Sequence, residues 1–294
     1  MMYETSSLLP TYSIQDDRFD PTLISEYHLV MEIHAERFRF AVFNDLSQTF
    51  IWLEDYQTVS LWGEDKYAHA LRTIIKNHSF LGAHYWKSIA LSTQTPAYTL
   101  MPTEFFDPSM RHKYLAFSTG SLPEGDEKIL AYEQSTFHGQ LIYTVEGSQF
   151  AWLKTMYPGK KVIPAPAPGI WLEGLLRQPQ ADGYHMLVVD GAVTLALIRH
   201  EKVKYLNTFT FRTPEDFTYY VLFVAKELDV QPDEPKKIYG EMTSFSDIYQ
   251  VLSAHVEGLQ FASLPVGFKF SQYFEGVPPH RYFSLFSLRY LSSL

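Results

Sequence analysis

The groups in this 294-residue sequence able to do acid–base, nucleophilic or metal chemistry are 11 histidines and 33 carboxylates, and there is no cysteine. Thiolate nucleophiles, disulfides, iron–sulfur clusters and cysteine-ligated zinc are therefore excluded. No His-Glu-x-x-His run occurs, the spacing that sets two imidazoles on one helix face against a zinc ion. His28 and His34 share a face of an alternating stretch, but two histidines without a third ligand are a structural pair, and no metal site is expected. The Gly-x-Ser-x-Gly elbow of acyl transfer is absent. A glycosidase-like carboxylate pair can be nominated anywhere among so many acids, so none stands out. Pro158-Gly159-Lys160-Lys161 lacks both the upstream glycine and the following hydroxyl with which a P-loop cradles phosphate, and no three-glycine dinucleotide fingerprint follows a strand. Neither a catalytic residue nor a metal ligand is assigned.

The elements that would have to position any site are clearer. With 46% hydrophobic residues the chain can build one large or two ordinary cores. Its longest apolar run, Tyr219 to Ala225, falls far short of the ~20 residues of a membrane span. Met1 to Pro10 lacks the basic start and apolar stretch of a signal peptide. A cytoplasmic protein is expected. The formal charge of −9 disfavours direct contact with nucleic acid.

Residues 1–26 mix single apolar residues with turn formers and read as an irregular arm. From Tyr27 to Asn44 apolar and polar residues alternate, most plainly in Arg37-Phe38-Arg39-Phe40, which predicts a β-hairpin with one buried face. Segment 64–81 then carries Tyr67, Ala70, Leu71, Ile74, Ile75, His78 and Leu81 at helical spacing. Trp86 to Ser92 reads as a short strand, and residues 118–126 as a surface loop.

The same order returns. Tyr184 to Arg199 is a second hairpin, with Asp190-Gly191 as its tight turn. Residues 213–229 open with Thr213, Pro214 and Asp216, a capping-box pattern that starts a helix. A strand ending at Ile238-Tyr239-Gly240 and a helix over 244–256 follow. Tyr27-His28-Leu29-Val30 aligns with Tyr184-His185-Met186-Leu187, Glu64-Asp65 with Glu215-Asp216, and Ile89-Ala90-Leu91 with Ile238-Tyr239-Gly240. Repeated order at nearly constant offset predicts two duplicated α/β domains, 27–178 and 179–294, each a mixed sheet with packed helices. Proline-rich Val162 to Gly169 marks the join, since proline cannot donate within a central strand. The aromatic residues from Phe261 to Tyr290 are expected to pack on a sheet. On helix 213–229, Tyr219, Leu222 and Phe223 lie opposite the core stripe; the preferred reading has them covered within the chain, with a protein-partner site as the alternative.

Four stretches carry a resemblance: Tyr98-Thr-Leu-Met-Pro-Thr-Glu-Phe-Phe, Leu206-Asn-Thr-Phe-Thr-Phe running into Pro214-Glu-Asp-Phe-Thr-Tyr-Tyr, Ile238-Tyr-Gly-Glu, and Pro279-His-Arg-Tyr-Phe. With the repeated order they resemble a domain family of unknown function from Bacteroidetes that has the actin-like ATPase fold, two ribonuclease H-like domains, and is distantly similar to actin-like proteins of pilus assembly and type II secretion. The resemblance implies a nucleotide cleft between the domains. Active actin-like enzymes carry Asp-x-Gly in the first hairpin of each domain, the acid holding magnesium through water and the glycine baring backbone amides to phosphate. Here the first hairpin offers Glu32-Ile33-His34, with a side chain where bare backbone is needed. The second places Leu187-Val188-Val189 on the motif and spends Asp190-Gly191 on the turn. At the adenosine glycine pair, Gly240 is followed by Glu241, whose side chain would narrow the pocket. Glu32, His34, Asp190, Gly191, Gly240 and Glu241 are thus the candidates of a degenerate nucleotide cleft. The expectation is a non-catalytic adaptor without a cofactor; the alternative is an ATP- and magnesium-dependent switch.

Overall fold

A computed structural model describes residues 9–57, 64–95, 97–121, 125–134, 136–160 and 162–293, and within helix 64–77 it describes side chains from Ala70 onward. The side chains of Tyr67 in the helical stripe and of Glu64 and Asp65, together with Lys161 and residues 122–124 of the surface loop, lie outside the described parts.

The first sheet is built from β1 (Tyr12–Gln15), β2 (Tyr27–Ile33), β3 (Arg37–Asn44), β4 (Thr49–Gln57) and β5 (Ser88–Thr93), with helix α1 (Glu64–Asn77) crossing from β4 to β5. β2, β3 and β4 form an antiparallel meander, and β5 pairs parallel with β2. The supposed irregular arm supplies β1, whose Ile14 lies opposite Leu53 and turns one apolar side chain into the core. After β5 the chain makes a small separate sheet from β6 (Tyr98–Pro102), β7 (Lys128–Gln134) and β8 (Gly139–Val145), in the order β6-β8-β7, with helix α2 (Arg111–Thr119) packed on it through Leu115. Helix α3 (Gly147–Met156) leads to β9 (Pro164–Pro166), which pairs parallel with β5. The proline-rich join is therefore an edge strand running directly into helix α4 (Ala167–Leu176), not a linker. Proline is tolerated there because the outer side of an edge strand needs no ladder donor.

The second sheet follows the same plan. It comprises β10 (Gly183–Val189), β11 (Ala192–Arg199), β12 (Lys202–Thr210), β13 (Lys236–Gly240) and β14 (Leu259–Phe261), in the order β12-β11-β10-β13-β14. Helix α5 (Pro214–Glu227) crosses from β12 to β13, and α6 (Asp247–Ser253) from β13 to β14. The Thr213–Asp216 capping box is present in both directions. Leu29 faces Ile89 and Met186 faces Ile238, so the two sequence alignments of the halves fall on equivalent register positions.

The last elements return to the first sheet. β15 (Lys269–Phe270) shares the outer edge of β4 with β1, and helix α7 (Phe283–Ser287) packs on α4. Residues 269–288, placed with the second half by a division at 179, thus complete the first. Phe270, Phe274, Tyr282 and Phe286 pack against Val30, Ala41, Phe43 and Phe50 on that sheet.

Layering explains the burial. One face of the first sheet (Leu29, Met31, Phe38, Phe40) meets α1 and α3, and the other meets α4 and α7. The second sheet packs on α5 and α6 through Met186, Leu195, Phe217 and Val221, and on α4 through Trp171, Leu172 and Leu175. α4 and α7 thus lie between the two sheets, and eight consecutive α4 residues, Pro168 to Leu175, are buried. Every residue of β2 is buried too, which corrects the expectation of a hairpin with one buried face. The polar side of the alternation is covered by α4 and α7, and Arg39 on it pairs with Asp55 and Glu241.

Candidate functional site: an ion-bridged cleft between the sheets

In both sheets the neighbouring parallel strands, β2 with β5 and β10 with β13, end at one cleft. Carboxyl ends of parallel strands are where open α/β sheets bind ligands, because the connecting loops diverge there. The cleft holds a cavity of about 350 Å³. Four of the six cleft candidates line it: Glu32 and His34 from the first hairpin, Asp190 from the second, and Gly240 from the end of β13. Gly191 sits beside them in the turn. Thr95, Thr194, Thr208 and Thr210 add hydroxyls, and Leu187 and Val189 present apolar side chains at the second hairpin's motif position.

The turns of the two hairpins are tied together. Asp190 and Gly191 adopt φ of +48° and +69°, the left-handed pair that a two-residue turn with the strands' twist requires. This posture lets Asp190 Oδ2 accept a hydrogen bond from the backbone N–H of Ala35 at 2.9 Å. Glu32 is buried, its Oε2 lies 3.5 Å from His34 Nε2, and Oε1 has no hydrogen-bond partner among the described residues. Gly240, at φ +84°, lies so close to β10 that an added Cβ would stand 2.1 Å from the carbonyl oxygen of Val188. Its N–H donates to the carbonyl of His280 at 2.9 Å, and that of Glu241 to Val188 at 2.8 Å. Packing of β13 on its neighbour thus accounts for this glycine without any ligand.

Glu241 does not line the cavity, which corrects the expectation that it narrows the pocket. It is drawn into a cluster of guanidinium groups. Arg39, 1% exposed, places Nε 3.0 Å from Asp55 Oδ2 and donates through Nη2 to Glu241 Oε1. Arg37 reaches both acids at 3.5 Å, and Arg281 reaches Asp55 at 3.3 Å and Glu241 at 3.4 Å. The Tyr282 hydroxyl donates to Asp55 at 3.1 Å. Burial pulls the Arg39 pKa down, but Glu241, Asp55 and Glu32 outweigh it and hold it above arginine's ordinary value. Burial likewise raises Glu241, and Arg39, Arg281 and Arg37 outweigh it, leaving that carboxyl below the usual range. Three arginines around two carboxylates bind β3 and β4, the end of β13 and the C-terminal segment into one unit.

Arg37, Arg39, Asp55 and Arg281 are the site residues missed from the sequence. A signal existed for Arg39: an arginine alternating with buried phenylalanines must find a carboxylate if the opposite face is also covered. The four stretches that carry the resemblance converge here. The Tyr98 hydroxyl bonds Thr208 Oγ1 at 2.8 Å, Thr208 and Thr210 line the cavity, and Gly240-Glu241 meets His280-Arg281.

Tyr219, Leu222 and Phe223 lie elsewhere, on the outer face of α5, and are 60%, 37% and 46% exposed. Their expected cover within the chain is absent among the described residues, because α6 packs beside α5 and leaves this stripe open. No helix of the described residues is long and apolar enough to cross a membrane. Among the described residues no group of three potential metal ligands occurs.

Two sheets of shared connectivity closing on one cleft define a protein of the actin-like ATPase fold. A crystal structure from Bacteroides thetaiotaomicron VPI-5482, described as having that fold and unknown function, is similar at TM-score 0.75 and 14% identity, covering 94% of this chain and 99% of that one. The PilM-PilN type IV pilus biogenesis complex is similar at TM-score 0.59 and 14% identity, covering 91% and 98%. The cytoplasmic domain of EpsL, an inner membrane component of the Vibrio cholerae type II secretion system, gives TM-score 0.44 at 12% identity, covering 91% and 94%. By sequence, residues 16–259 match the family described as protein of unknown function (DUF3822), and the chain belongs to that family. No curated protein matches it significantly.

Proposed function

We propose that this protein is a cytoplasmic, non-catalytic adaptor in which protein groups bridge the cleft that nucleotide-hydrolysing relatives of the fold use for phosphate. The observation carrying this reading is the second hairpin's end of the cleft: Leu187 and Val189 stand where an Asp-x-Gly motif would put its acid and its bare backbone, and the nearby turn carboxylate, Asp190, is hydrogen-bonded to the opposite hairpin's Ala35 N–H. Glu241, bound among arginines, holds the same two halves together nearby. Asp190 has one oxygen taken by the Ala35 N–H and sits in the turn rather than at the motif position, and His34 puts a side chain where phosphate would need bare backbone. With the cleft so occupied, function falls to the surfaces and an as yet unidentified protein partner. The presence of PilM in a complex with PilN supports assigning that kind of role to this fold.

The cavity itself favours a second reading, a nucleotide-dependent switch using Glu32, Asp190 and Gly240 in an unusual geometry. A thermal-shift titration separates the two. A ligand at a hundred times its dissociation constant stabilises a fold by about 2.7 kcal/mol, a shift of several degrees in a chain of this length. The adaptor reading expects no shift from millimolar ATP or ADP with magnesium. A saturable, magnesium-dependent shift that Glu32→Ala abolishes would overturn it.

A further inference from the structure

We propose that α5 is a self-association helix, packing antiparallel on α5 of a second copy of this chain about a twofold axis. α5 runs 14 residues and is held at its start by the reciprocal Thr213–Asp216 cap. Its inner face, Phe217, Val221 and Val224, is buried in the second domain's core. The outer face presents Glu215, Tyr219, Leu222, Phe223 and Lys226, all exposed. At 100° per residue these five fall within a stripe about 100° wide, the width of a helix-packing face. Tyr219 and Phe223 stack with centroids 5.8 Å apart and planes 18° from parallel, so their rings present one continuous apolar surface.

The charges select the occupant. Along this stripe an acid stands at the first turn and a base at the last, about 16 Å apart at 1.5 Å per residue, with only apolar and aromatic side chains between. A parallel copy would set Glu215 on Glu215 and Lys226 on Lys226. An antiparallel copy sets Glu215 on the partner's Lys226 twice and Tyr219 on the partner's Leu222, with the axis passing between residues 220 and 221. Such self-complementarity is what an isologous interface requires. One helical stripe buries less than the ~800 Å² per partner of a standard interface, so the dimer dissociates readily on dilution. The inference is independent of whether the cleft binds nucleotide.

Sedimentation equilibrium of the full chain across the micromolar range tests it. A monomer–dimer equilibrium is expected, and Leu222→Arg should leave only monomer. Glu215→Lys alone and Lys226→Glu alone should each weaken the dimer roughly tenfold, because the twofold axis makes every charge reversal count twice. The double variant Glu215→Lys/Lys226→Glu should restore wild-type dimerisation, with unchanged circular dichroism throughout. Monomer at every concentration, or a dimer indifferent to the single reversals or not restored by the double one, would overturn the proposal.

Discussion

Replacing Glu241 by alanine tests the ion-bridged cleft most directly. In the intact protein the Arg39 guanidinium is 1% exposed and divided between Asp55 and Glu241. Without Glu241, Asp55 alone must serve three arginines: Arg39 at 3.0 Å, Arg281 at 3.3 Å and Arg37 at 3.5 Å. Removing one partner of a buried pair typically costs 3–5 kcal/mol, and because Glu241 is itself 21% exposed, water softens the loss to about 3 kcal/mol. For a chain of this length each kcal/mol moves the midpoint by ~2 °C, so a fall of ~6 °C is expected. Guanidinium unfolding should show the same loss with an unchanged slope. Arg39→Met/Glu241→Met should be less damaging than Glu241→Ala, since the double change removes the stranded charge together with its partner. A loss under about 1 kcal/mol in Glu241→Ala, or a double variant worse than the single, would refute the view that this cluster bridges the two halves under strong coupling.

Three further outcomes follow from the geometry. Burial pushes the His185 imidazole down to about 4 from 6.5, so on acidification the unfolded chain takes up a proton that the fold refuses. Its stabilisation is present above pH 6.5 and declines as pH falls towards 4; urea unfolding near pH 7 and pH 5 should differ by about 2 kcal/mol from this residue. His185→Gln should reduce the difference, while His28 and His280, also lowered by burial, keep part of it. Gly240→Ala should cost about 3 kcal/mol in denaturant unfolding, since its Cβ would meet backbone at 2.1 Å in a left-handed conformation. An added Cβ at Gly174 would stand 2.3 Å from Ser287 Oγ and 2.7 Å from Phe283 Cε1, so Gly174→Ala should lower stability by ~1–2 kcal/mol in thermal unfolding, and Ser287→Gly should relieve the part due to Ser287.

The parts of the fold legible in the sequence are those with a repeating local signal. The two hairpins announce themselves through alternation and Asp190-Gly191, and α5 through Thr213, Pro214 and Asp216. β4 went unrecognised because Thr49 to Tyr56 is covered on both faces except at Trp52, and a strand buried on both sides loses its period of two. α4 hid for the corresponding helical reason: it is buried all round, so no polar face marks its turns, and the prolines before it read as punctuation. The shorter α7 offers too few residues for any period. In the site, Glu32, Asp190 and Gly240 were reachable because they fall on a known pattern. Asp55 and Arg281 were not, since the contact joining them spans 226 residues and leaves no local trace, and Arg39 showed only its alternation with buried phenylalanines, which says that it needs a carboxylate but not which one.

The return of the C-terminal segment has a consequence for how the protein is made. During synthesis the first sheet emerges early, but the surfaces that β15 and α7 will cover, around Phe43, Phe50 and Val30, stay open to water until residues 269–288 leave the ribosome. Contacts of such sequence separation close slowly, because the loop entropy must be met before they form. Until then the first sheet keeps part of one apolar face uncovered and leaves the Thr49–Phe50 end of β4, beyond the stretch that β1 pairs, without an outer neighbour, an opening prone to misassembly. The same stretch that closes the core, through Arg281, Tyr282 and α7, also completes the charge cluster joining the two halves.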